Sequence, residues 1–195
     1  MIIELFGLSG AGKTTFAKKK IGNSDCIVLL YKNYSFSTKM LVLFRYPVFF
    51  LWAKEILLEV FKNKMWSLFK FKLALLLNLF CTFNEAKKLN KEGKTIFMDE
   101  GFLQRLGGIY DTKKDYIFFK RLINKKIILS DKIIIIESNF EKFKRYKDKK
   151  NNRSALGEEY LNNWFEIVKY NYQEIIKAIQ DLDMNYETIN INYEK

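Results

Sequence analysis

The chain has 195 residues, 49% of them hydrophobic, and sets 34 Lys and Arg against 22 Asp and Glu, a formal charge of +12. That length suits one compact domain spanning 1–195, and that composition excludes an intrinsically disordered chain. Histidine is absent, which removes Ser-His-Asp, Cys-His and His-ligated metal chemistry and leaves general-base work to carboxylates.

The positive field draws in nucleotides, nucleic acid, anionic lipid or acidic glycans, and charge alone does not choose among them. Cys26 and Cys81 lie far apart, each inside an apolar run, so they read as reduced buried thiols. The opening MIIELF runs straight into a glycine loop without the order of a secretory signal, and the expected location is cytoplasmic. Between Met40 and Phe83 the sequence is strongly apolar, but Arg45 and Pro47 interrupt it and LALLLNLFCTF is too short to span a bilayer. Lys62, Lys64, Lys70 and Lys72 alternate with Trp66, Phe69 and Phe71, so peripheral contact with the inner face of a membrane stays open beside a plain core-helix reading.

In chain order, IIELF ending at Gly7 reads as a buried strand and KTTFAKKK, 13–20, as a helix closed by Gly22. CIVLL, 26–30, is a second strand. Long helices are predicted over 38–61 and 65–91, punctuated by Pro47 and Gly93. TIFM, 95–98, is a third strand ending in acids, followed by a helical middle over 102–129 and the strand KIIIIE, 132–137. NFEKFKRYKDKKNNR begins as a helix and becomes a lysine-rich loop. Over 158–180 the residues Leu161, Trp164, Phe165, Val168, Tyr172, Ile175, Ile176 and Ile179 share one helical face, and YETINI closes the chain as a strand. Strands alternating with helices predict an α/β sandwich around a mostly parallel sheet.

Gly7, Gly12, Lys13 and Thr14 complete the G-x-x-x-x-G-K-[ST] pattern between a strand and a helix. The glycines, with Ser9, Gly10, Ala11 and Thr15, let backbone N–H groups close on phosphate oxygens. Lys13 is expected at the β and γ phosphates and the Thr14 hydroxyl on magnesium, with the helix dipole adding to anion binding. A GTPase is disfavoured. Its base-reading signature appears only as TKKD, 112–115, which follows no strand and reads as a solvated helix start, and Asp99-Glu100-Gly101-Phe102 places the switch glycine one position early. A motor core is larger than this chain allows.

GLSGAGKTT, the acidic strand end IFMDEGFLQR and the late basic stretch NFEKFKRYKDKKNNRSALGEEYL together resemble the P-loop nucleoside and nucleotide kinase group, which holds thymidylate, deoxynucleoside and adenylylsulfate kinases. The resemblance implies a three-layer sandwich with a five-stranded sheet in the order 2-3-1-4-5 and a helical acceptor-binding insertion at 38–91. It implies ATP and Mg2+ as cofactors. Asp99 would hold the magnesium through water, Glu100 would position or deprotonate the acceptor hydroxyl, and Arg105 would bind the acceptor or the moving phosphoryl group. Arg145 and Arg153 stand where arginines of a mobile lid would be, the lid covering 142–157.

The sequence departs from the group at the acceptor end. CIVLLYKNYSF lacks the second-strand glutamate of deoxynucleoside kinases, and Asp99-Glu100 replaces the Asp-Arg of thymidylate kinases. The DEG-x-x-x-R strand end also resembles kinase-like proteins of bacterial surface-polysaccharide gene sets, which favours a carbohydrate or cell-envelope acceptor. The expected function is a kinase acting on a nucleoside, nucleotide, sugar or glycan, with no nucleic-acid partner expected. The alternative is a nucleotide-dependent regulatory module that contacts membrane or nucleic acid through its basic-aromatic face.

Overall fold

The computed structural model describes residues 1–8, 10–20, 25–30, 32–63, 66–124, 130–137 and 157–191. Five strands, β1 (Ile2–Phe6), β2 (Cys26–Leu29), β3 (Thr95–Met98), β4 (Lys132–Glu137) and β5 (Tyr186–Asn190), form one sheet in the order β2-β3-β1-β4-β5. Every pairing is parallel, with Ile2 opposite Ile96 and Ile3 opposite Lys132. The fold class and strand order expected from the sequence are those observed. β1 sits at the centre with all five residues buried, the reason it reads as an apolar run interrupted only by Glu4.

Seven helices are described: α1 (Lys13–Lys20), α2 (Phe36–Arg45), α3 (Val48–Asn63), α4 (Trp66–Lys91), α5 (Phe102–Ile109), α6 (Tyr116–Asn124) and α7 (Glu158–Asp181). The layers are unequal. The large core on one face joins Ile2, Phe6, Ile96 and Ile133 to α2 through α7, whereas Ile3, Leu5, Phe97 and Ile134 pack with Ala17 of α1 on the other. Alternation along β1 therefore sends Glu4 to the thick side, where it is fully buried.

The helical stretch expected over 38–61, with Pro47 as its punctuation, is two helices. Pro47 has no N–H to continue the ladder and pushes the preceding residue out of helical geometry, so α2 ends at Arg45 with Tyr46 as its cap and α3 restarts at Val48. The buried positions Val42, Tyr46, Phe49, Ile56 and Val60 nevertheless keep helical spacing through the break, and both helices pack on α4. Gly93, at φ 84°, ends α4, with Lys94 N donating to Leu89 O.

The helical middle over 102–129 is also interrupted. α5 stops at Ile109, and α6 begins after Asp115, whose Oδ1 accepts from Phe118 N at 2.8 Å as a side-chain cap. TKKD is thus a helix start, as its sequence suggests, but it is tied down. Asn171 of α7 accepts from Lys114 N at 2.8 Å and donates to Thr112 O, and Glu174 accepts from Tyr116 N at 3.0 Å. These polar residues share the buried stripe of α7 with Phe165, Val168, Tyr172, Ile175 and Ile179, while Leu161, Trp164 and Ile176 are half-buried at its margin.

The basic-aromatic reading of 62–72 needs correction at Lys72. It is fully buried, with Nζ 3.1 Å from Glu59 Oε2 and 2.5 Å from Asp111 Oδ2. Phe69 and Phe71 are half-buried, and only Lys62 and Lys70 of the described members are exposed. Lys64 and the side chain of Trp66 lie outside the described residues. Cys81 is buried and Cys26 half-buried, both as free thiols. No described helix is long and apolar enough to cross a membrane.

Candidate active site

The site is built where β1 hands over to α1 beside the end of β3. Gly7 follows the buried strand at a point where a Cβ would lie 2.4 Å from Ile136 O of β4, so only glycine lets the loop leave the sheet there. Gly10 and Gly12 have φ of 86° and 90°, and Ala11 N closes a turn on Leu8 O at 3.0 Å. Phe16 N then donates to Gly12 O at 2.8 Å, the first helical bond of α1. The result is a tight turn that runs directly into the N-terminus of α1, the kind of helix end that favours a bound anion. Thr15 sits exposed in the first turn of α1; Ser9 lies outside the described residues.

Lys13 folds back over this loop. Its Nζ donates to Gly7 O at 2.8 Å and to Leu8 O at 3.1 Å, and the side chain is almost wholly buried. Burial pushes its amine down from 10.5 to about 8, against the opposing pull of the Asp99 and Glu100 carboxylates. An arriving anion favours its charged form.

Asp99 and Glu100 follow β3 directly, and Asp99 N donates to Leu29 O at 3.3 Å, fixing this strand end against β2. Thr14 Oγ1 donates to Asp99 Oδ2 at 2.6 Å, while the buried Asp99 Oδ1 has no hydrogen-bond partner. A hydroxyl and a carboxylate oxygen side by side, one oxygen of the pair unsatisfied, suit a hard cation such as magnesium. No cluster of three or more carboxylate, thiol or imidazole ligands occurs among the described residues. Glu100 and Arg105 are ion-paired, so two of the expected site residues meet directly. Arg145 and Arg153, and the expected lid apart from Gly157, lie outside the described residues.

Two contributors are absent from the sequence motifs. Gln104 of α5 accepts from Gly7 N through Oε1 at 3.4 Å, linking α5 to the loop. Glu4 caps α5: its Oε1 accepts from Leu103 N and, at 3.4 Å, from Gln104 N, while Oε2 accepts from Ser130 Oγ at 3.4 Å. Burial drives the Glu4 carboxyl up to about 7, with those hydrogen bonds working the other way. A Cβ at Gly101 would fall 2.2 Å from Glu4 Cδ, which explains the glycine of DEG in physical terms. The available signal was one acid inside an otherwise apolar central strand.

On the insertion side, Phe102 packs between Phe80 and Phe83, each ring centroid 5.3 Å away, with Trp52 at 6.2 Å. Just beyond β2, Tyr34 Oη donates to Glu85 Oε2 at 2.8 Å and Lys32 pairs with the same carboxylate. Asn78 Nδ2 donates to Asn33 Oδ1 at 2.9 Å. α4 therefore brings a carboxylate to the region just past β2, where the strand itself supplies none. A cavity of about 300 Å³ also opens beside the loop, walled by Phe6, Gly7, Leu8, Ile136 and Tyr172.

No protein-family model matches the chain, and no curated protein sequence matches it. Among solved structures it is similar to a deoxyadenosine kinase from M. mycoides with bound dATP, 16% identical with a TM-score of 0.54, over 97% of this chain and 91% of that one. It is also similar to a thymidylate kinase from Ehrlichia chaffeensis, 14% identical with a TM-score of 0.50, over 100% of this chain and 88% of that one. The sheet order, the cradle at the end of β1 and the acid at the end of β3 together with these likenesses show that the chain has the P-loop nucleoside and nucleotide kinase fold.

Proposed function

We propose that the protein is a kinase that uses magnesium and ATP to phosphorylate a hydroxyl or phosphate of a small nucleoside, nucleotide, sugar or glycan. The observation that carries this reading is the 2.6 Å contact between Thr14 Oγ1 and Asp99 Oδ2, with Asp99 Oδ1 unsatisfied beside it. A strand-to-helix turn without nucleotide chemistry has no need of that arrangement.

Thr14 and Asp99 would hold a magnesium ion, which would supply neutralisation of phosphate charge. The chain's own residues do the rest. Lys13 exchanges the Gly7 and Leu8 carbonyls for phosphate oxygens, whose charge favours its protonated form. The N–H groups of the loop and of the first turn of α1 hold the transferring group in line. Glu100 accepts the acceptor's proton or orients its hydroxyl, and Arg105, paired with it, steadies both the carboxylate and the incoming acceptor. The polar set Asn33, Tyr34 and Glu85 just past β2 offers the acceptor hydrogen-bond donors and acceptors.

The test is incubation with Mg-ATP and a mixed panel of nucleosides, nucleotides and sugars, read as a mass gain of one phosphoryl group. Transfer to one class identifies the acceptor. Nucleotide binding without transfer to any acceptor overturns the kinase reading in favour of a nucleotide-dependent binding module.

A further inference from the structure

The outer side of α2 and α3 is apolar where a soluble helix pair is ordinarily polar. Phe44 is 84% exposed, Phe36 79%, Phe50 58%, Leu41 57% and Leu58 55%. Both helices bury their opposite stripe on α4, so these side chains face away from the protein body. A run of large apolar residues of this extent on a small domain marks an interaction surface, because scattered single exposures do not recur at helical spacing.

The charges among them select the partner. Arg45, Lys54 and Lys62 are the exposed charged residues of α2 and α3, while Glu55 is half-buried and Glu59 buried in the ion network with Lys72. A second copy docking about a twofold axis would bring together two faces that are both positive, with no exposed carboxylate on α2 or α3 to pair with the cations. An anionic lipid surface accepts both the aromatic side chains and the cations, the combination that holds an amphipathic helix in an interface. We infer that the outer face of α2 and α3 docks this protein onto an anionic membrane. This centres the contact on α2 and α3, sharing only Lys62 of the basic and aromatic residues in the 62–72 run, and it holds whether or not the site transfers phosphate.

The test is flotation of the full chain, without nucleotide, on vesicles of phosphatidylglycerol and phosphatidylcholine and on vesicles of phosphatidylcholine alone. The wild type floats with the mixed vesicles and not with the neutral ones. Phe44→Glu combined with Leu58→Glu lowers the bound fraction by more than about tenfold. Lys54→Glu and Lys62→Glu each weaken it by about fivefold or more, more strongly at low salt. All four positions are exposed, so circular dichroism and thermal unfolding should match the wild type. Flotation unchanged in the Phe44 and Leu58 variant, or no flotation of the wild type on anionic vesicles, overturns the inference. A wild-type dimer that this variant turns into a monomer, with no vesicle binding by either, assigns the face to a second copy instead.

Discussion

The Glu4 carboxylate occupies the space that a side chain at Gly101 would fill: a Cβ there would lie 2.5 Å from Glu4 Oε1. The central strand and the turn after β3 are thereby locked together, and the lock also orients α5, which carries Gln104 and Arg105. Gly101→Ala forces the carboxylate off the N–H groups of α5. It should lower stability by roughly 2 kcal/mol, measured by urea unfolding, and lower turnover through displacement of Arg105.

The same residue makes stability depend on pH. The Glu4 carboxyl titrates near 7 when folded against an ordinary 4.5, so its stabilising effect is full below pH 4.5 and is lost as pH rises through 7. Relative to Glu4→Gln, which cannot ionise, the wild type should lose up to about 3 kcal/mol between pH 4.5 and 7.5. Parallel stability curves for the two proteins would remove Glu4 from that role.

What the sequence made legible follows from what each residue needs. The buried parallel strands are apolar runs apart from Glu4, and the phosphate loop is a local motif whose spacing is its mechanism, so both can be read along the chain. The strand order came from resemblance, since apolar runs carry no partner information. Glu4 and Lys72 could not be read in this way. A lone charge looks solvated until the fold delivers its partners, here the α5 N–H groups to Glu4 and both Glu59 and Asp111 to Lys72. The break at Pro47 was visible as a residue, but the helical spacing of Val42, Tyr46 and Phe49 runs through it and masks it.

Nucleotide affinity should be tied to the charge of Lys13. Its amine titrates near 8 in the free protein, and bound phosphate favours the charged form, so binding takes up a proton above that pH. Affinity should be constant below pH 8 and fall by up to about tenfold per pH unit above it, measured as ATP Kd by calorimetry. Lys13→Arg keeps its charge and should flatten the curve. Lys13→Ala should reduce kcat/KM by roughly 10² or more while the fold is retained. A flat wild-type profile would mean that Lys13 does not meet the phosphates.

Asp99→Asn tests the cation site separately. The amide leaves Thr14 an oxygen to donate to but removes the negative charge beside it. Magnesium dependence should shift to higher concentration by about tenfold or more, with ATP affinity in the absence of magnesium little changed. Equal losses with and without the metal would make Asp99 a purely structural partner of Thr14.

Lys72 bridges α4, α3 and the loop after α5, through Glu59 and Asp111, in a network also held by hydrogen bonds from Thr112 Oγ1 to Glu59 and Tyr160 Oη to Asp111. Two carboxylates share one buried cation, so removing that cation leaves both charges in low dielectric with fewer partners. Lys72→Met should therefore cost about 3–5 kcal/mol at neutral pH, more than the loss of its packing alone. Combining it with Glu59→Gln and Asp111→Asn removes the stranded charges and should recover a large part of that loss. The recovery separates charge burial from cavity formation, because a defect caused only by lost volume would be no smaller in the triple variant. Chemical denaturation of the three proteins measures the effect. An Lys72→Met protein as stable as the wild type would show that the network contributes nothing to holding the insertion against the site.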